Sequence, residues 1–115
     1  MAAAEQRRLQ GADRVREVFA RVANGDLGVV DLFADDAVIL FGNGGRVEGR
    51  DAIRAFYERA IGDIRPRPSV EVVLESPPWY VAIVDVPGAD VHHRALDLFE
   101  VGERGIRRLE IYTRH

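Results

Sequence analysis

The chain has 115 residues, with 16 basic against 19 acidic side chains, a net charge of −3, 47% apolar and 30% charged residues. That length and apolar content suit one domain with a buried core, and the acidic balance offers no overall attraction to nucleic acid. Cysteine is absent and every Lys/Arg position is arginine, which excludes disulfides, thiolate nucleophiles and lysine Schiff bases.

The opening "MAAAEQRRLQ", residues 1–10, reads as a frayed or helical lead-in and lacks the apolar stretch of a secretory signal. No apolar run approaches the roughly 20 residues of a membrane span, so a cytoplasmic protein without membrane contacts is expected. From Asp13 to Ala23, Val15, Val18, Phe19 and Val22 recur at helical spacing. "NGD" at 24–26 stops that helix: Asn24 or Gly25 takes the left-handed position, and Asp26 caps a short second helix from Leu27 to Phe33. Val38–Phe41 is a strand, "GNGG" a tight turn and Arg46–Glu48 its brief partner. Gly49 and Asp51 open a third helix that buries Ile53, Phe56, Tyr57 and Ala60. "RPRP" at 65–68 ends the helical part, and the period then changes to two. Val70–Glu75, Trp79–Asp85, Val91–Val101 and Ile106–Thr113, joined by short turns, form an antiparallel meander. The order predicts an α+β fold within 1–115: a curved antiparallel sheet wrapped around three N-terminal helices, leaving a cone-shaped pocket.

Alternation along Val91–Val101 puts Val91, His93, Ala95, Asp97, Phe99 and Val101 on one face, and His92, Arg94, Leu96, Leu98 and Glu100 on the other. The first set is the more apolar and is assigned to the concave side, which places Asp97 among hydrophobic neighbours. Such a carboxylate is either a structural hydrogen-bond acceptor or an acid whose pKa desolvation raises into a working range. A slip of one residue makes Glu100 the inward acid instead. His93 shares the face of Asp97 but stands roughly 13 Å away along the strand, so it reaches only the far end of a ligand. The adjacent His92 and His93 point oppositely, and no metal-ligand spacing occurs, so no metal is expected. His115 is expected in solvent. Tyr57 is a core aromatic or a hydrogen-bond donor at the cone, and Trp79, on a strand face with Val81 and Ile83, is core or a stacking wall. No serine elbow or phosphate loop is present, so any chemistry is acid–base and needs no cofactor.

"GDLGVVDLFADDAVILFGNGGRVEGRDAIRAFYERAI", residues 25–61, and "ALDLFEVGERGIRRLEIY", residues 95–112, resemble the nuclear transport factor 2-like superfamily, in particular its SnoaL-like and ketosteroid isomerase-like members. The resemblance implies the fold above and a pocket for a small apolar ligand. Its catalytic aspartate falls at Phe41 and its helix tyrosine at Val18, while a supporting tyrosine is kept as Tyr57 and another becomes Phe33. Its oxyanion aspartate matches Asp97 with a closing hairpin one residue shorter, or Glu100 without a gap. Ketosteroid isomerisation by the usual route is therefore not expected. Arg94 faces away from Asp97, unlike the Asp–Arg–Asp network of the epoxide hydrolases on this fold. What remains is one-acid chemistry, an isomerase or cyclase acting on a polyketide-, terpenoid- or steroid-like molecule, with Asp97, Tyr57 and His93 as catalytic candidates. Val18, Phe19, Phe41, Phe56, Trp79, Ala95 and Phe99 are then the expected pocket wall. The alternative is a non-catalytic ligand-binding or homodimerising domain, pairing through the outer sheet face at Leu96, Leu98, Leu109 or Ile111.

Overall fold

The computed structural model describes residues 10–87 and 93–114. Helix α1, Ala12–Ala23, buries Val15, Val18, Phe19 and Val22, the stripe that the 3.6-residue period dictates. Gly25 takes the left-handed conformation at its end, with its N–H on the Val22 carbonyl at 3.0 Å. The Asp26 carboxylate then accepts the Gly28 N–H at 2.8 Å and starts a 3-10 helix, Leu27–Leu32. Phe33, expected to close that helix, is already extended and begins strand β1, Phe33–Phe41. Hairpin partner β2 is Arg46–Glu48, and helix α2, Arg50–Arg59, follows Gly49. A single π turn, Ala60–Ile64, prolongs α2 before the prolines. Strands β3 (Ser69–Ser76), β4 (Trp79–Val86), β5 (His93–Gly102) and β6 (Gly105–Arg114) complete the chain.

The six strands form one open, curved sheet in the order β2-β1-β6-β5-β4-β3, with helices over its concave face. Four of the five pairings are antiparallel, as a meander requires. The fifth, β1 with β6, is parallel, because β1 reaches the middle of the sheet from the helical part and not through a hairpin. β1 is also longer than its apolar run, since "FADDA" adds an irregular stretch where the register with β6 shifts between Phe33 and Val38. Gly105, at φ +119°, makes that junction possible: a Cβ there would stand 2.8 Å from the Leu32 carbonyl oxygen.

Two arginines hold the helices to this junction. Arg14 of α1 donates to the Leu32 carbonyl at 3.2 Å, and Arg50 at the start of α2 donates to the Phe33 carbonyl at 2.9 Å. Beneath them Phe33, Ile39, Ile53, Phe99, Ile106 and Leu109 are fully buried. Phe19 meets Phe99 edge-on at 5.9 Å, and Phe33 meets Tyr57 at 5.8 Å.

Candidate functional site

The pleat of β5 decides what faces the helices. Ala95, Asp97 and Phe99 are buried, whereas Leu96 is half exposed, so the concave side is the one with Asp97. Glu100 sits on the opposite face, across from Trp79 and Arg108, and is not an inward acid. Arg94 also points outward and pairs with Glu71 at 2.6 Å, away from Asp97.

Above Asp97 lies a partly open hollow of about 190 Å³. Val18, Phe19 and Val22 of α1 form one wall, and Phe56 and Tyr57 of α2 with Ala60 form a second. Pro66 and Pro68 border it, and the floor comes from alternate residues of β4, β5 and β6. Of all the lining side chains, only Tyr57, Asp97 and Thr113 carry polar atoms. Asp97 is 6% exposed, and no other charged residue among those described is buried. Its Oδ1 has no hydrogen-bond partner. Burial without a compensating partner disfavours the carboxylate, and its pKa is pushed up to about 7. The Tyr57 phenol is driven higher than ordinary by burial and then by the charge of nearby Asp97, so it stays a neutral O–H donor. The hollow therefore holds one group that exchanges a proton near neutrality beside one that does not.

Of the expected wall, Val18, Phe19, Phe56 and Ala95 line this hollow, together with Tyr57 and Asp97 from the catalytic candidates. Phe99 does not: it shares the concave face, but its ring is fully buried against Phe19. Phe41 stands behind the wall, its ring packed on Phe56 at 5.5 Å. Trp79 is on the outer face, 37% exposed, because Tyr80, Ala82 and Val84 are the β4 residues opposite the inward set of β5. Leu109 and Ile111, expected on the outer face, point inward for the same reason, opposite Phe99 and Asp97. His93 opens β5, but its side chain lies outside the described residues, as do Val91, His92 and His115.

Sequence reasoning missed Val22, Ala60, Val84, Val86 and Thr113 as lining residues. Val22 belongs to the same helical stripe as Val18 and was legible; the β4 residues follow once β5 is oriented. The prolines at 66 and 68 read only as a break, and nothing in their spacing marks them as a rim. Among the described residues no cluster of three or more His, Asp or Glu is gathered as a metal site requires, and no helix is long and apolar enough to cross a membrane.

Residues 15–109 match the family model for the SnoaL-like domain, so the chain belongs to this family, within the nuclear transport factor 2-like superfamily. No curated protein matches it. Among solved structures it is similar to a protein from Sphaerobacter thermophilus, with 28% identity, TM-score 0.77, and 93% of this chain and 98% of that one covered. It is similar to the epoxide hydrolase/cyclase-like enzyme SalBIII of pyran ring formation in the polyether salinomycin, at 19% identity, TM-score 0.78 and coverage of 96% and 92%. A protein from Jannaschia sp. CCS1, provisionally named a SnoaL-like polyketide cyclase, gives 18% identity, TM-score 0.77 and coverage of 89% and 83%. At these last two identities the likeness shows the fold.

Proposed function

We propose that the chain is a cofactor-independent acid–base catalyst, an isomerase or cyclase, for a small apolar ring molecule, with Asp97 as its one proton-transfer group. The observation that carries this reading is an unpartnered carboxyl in a greasy hollow, with a pKa of about 7. At neutral pH such a group is divided between its two forms. As carboxylate it takes a proton from the carbon beside a ketone; as acid it returns that proton to a more distant carbon of the enolate. Tyr57, which lines the same hollow and stays protonated, would donate a hydrogen bond to the enolate oxygen while charge resides there. In a cyclisation the same pair would serve an aldol step: the Asp97 carboxylate takes the α-proton, the enolate carbon bonds to a carbonyl carbon as that carbon's π bond to oxygen breaks, and Asp97 returns the proton to the resulting alkoxide. The size of the hollow narrows the substrate. A closed cavity of about 150 Å³ holds benzene, so a partly open hollow of about 190 Å³ accommodates one ring with a few further carbons inside, and any larger ligand extends through its mouth.

The test is isomerisation of cyclohex-3-enone to its conjugated isomer, followed by ultraviolet absorbance. Asp97→Asn is expected to lower the rate about 100-fold or more. Unchanged turnover in that variant removes the proposal.

The second reading is a binding domain that pairs with a copy of itself, and a separate observation favours it. On the outer face Val72, Ile83, Leu96 and Tyr112 stand in register across four strands, beside Leu74 and Trp79. An apolar surface of that kind suits a two-fold interface between like sheets. Leu96→Glu then yields a monomer by sedimentation; unaltered mass excludes this face as the contact.

A further inference from the structure

The rim of the hollow carries a feature that an apolar ligand does not use. A second depression, about 240 Å³, adjoins the first and shares Val22 and Pro66 with it. It is lined in part by Arg65 and Arg67, and no acidic side chain lines it. Neither guanidinium has a hydrogen-bond or ion-pair partner among the described residues, a state shared with Arg16, Arg59, Arg104 and Arg107 but not with Arg14, Arg21, Arg46, Arg50, Arg54, Arg94 and Arg108. What sets Arg65 and Arg67 apart is that both line a depression continuous with the hollow.

The backbone is bent to put them there. The π turn after α2 ends with the Arg65 N–H on the Ala60 carbonyl at 2.9 Å, and Arg65 is the one non-glycine residue with positive φ among those described. A side chain held in the left-handed region costs of order 1 kcal/mol, and such strain and π turns both concentrate at functional sites. The C-terminus of α1, which also borders the depression, is a weak competitor for the two cations. Its last carbonyls, on Ala20, Arg21 and Val22, already accept the N–H groups of Asn24, Asp26 and Gly25.

We infer that the ligand is an amphiphile: its ring fills the hollow over Asp97, and an oxoanion, carboxylate or phosphate, extends past Val22 and Pro66 onto Arg65 and Arg67. This deepens the proposed function and rests on its assignment of the hollow as the ligand site. Planar guanidinium groups suit such anions because two parallel N–H donors match two oxygens. The specificity lies outside the reacting centre, so the anion fixes the depth at which the ring stands while the proton moves within the hollow.

The probes are phenyl-capped carboxylates with two to five tether carbons, the corresponding phosphate monoesters, and the neutral alcohols, titrated into the protein by NMR. At the best tether the anion is expected to bind at least fivefold tighter than the alcohol. That advantage shrinks in high salt. It disappears in the Arg65→Gln, Arg67→Gln double variant, whose affinity for the alcohol is unchanged. A phosphate that outbinds the carboxylate identifies a phosphorylated ligand, and the reverse order a free acid. An anion no tighter than the alcohol at any tether, or an advantage that survives both substitutions, overturns the inference alone. Failure of anions and alcohols alike to bind overturns it together with the reading of the hollow.

Discussion

Phe99 and Ala95 stand four residues apart on the same face of the same strand, and they belong to opposite ends of the cone. Phe99 is fully buried and meets the Phe19 ring edge-on, so no space is left above it. Around Ala95 the neighbours are short or cyclic, Ala60, Pro66 and Pro68, and about 190 Å³ is left over. The two ends share one strand and one face, and the bulk of Phe99 against that of Ala95 marks where the packed core gives way to the hollow. The carboxyl of Asp97 lies between them, buried by the first and reachable from the second.

Three experiments break or sharpen that contrast. The largest effect belongs to the filled end: Phe99→Ala is expected to lower stability by about 3–5 kcal/mol in urea unfolding. A loss no greater than that of a surface substitution would mean that the two ends are packed alike. Next comes the boundary. Folded Asp97 keeps its proton up to about pH 7, whereas the unfolded chain releases it near its ordinary value, lower by about 3 pH units. Between those values the folded state binds more protons, so this group's contribution is intact at low pH and is lost as pH rises to about 7. Asp97→Asn is therefore expected to be about 2–4 kcal/mol more stable than wild type at pH 8, with the difference vanishing toward pH 4. A flat difference across that range refutes the buried titration. The smallest change in stability is expected at the open end. Ala95→Leu places its added carbons in free space, so the unfolding free energy moves by less than about 1.5 kcal/mol. Binding of a one-ring ligand is nonetheless lost in an NMR titration, and retained binding shows that the ligand sits elsewhere.

Much of this architecture is legible from periodicity. The stripe of α1 and the change from period 3.6 to period two at the prolines are local signals, and the structure repeats them. Asp97 was legible because Ala95 and Phe99 flank it on one face while Arg94 and Leu96 mark the other. Trp79 was not, because "WYVAIV" is apolar on both faces and alternation has nothing to choose between; only pairing with β5 settles it. Leu109 and Ile111 alternate with Glu110 and Tyr112, but local alternation does not say which set meets the helices. The extra length of β1 escaped because the exposed Asp35 and Asp36 interrupt the apolar run where the strand bulges. The unpaired arginines at the rim escaped for a different reason. Partnership is a three-dimensional property, and in the sequence Arg65 and Arg67 look like any other solvated pair.

β6 comes after every other strand along the chain, yet it lies inside the sheet, between β1 and β5. A ribosome therefore releases a short β1–β2 ribbon and a three-stranded β3–β5 meander before the piece that welds them exists. Until Leu109 and Ile111 emerge, Asp97 has no neighbour on that flank and the hollow has no floor there. A chain that stops before β6 therefore lacks this side of the hollow, whatever its other strands have formed.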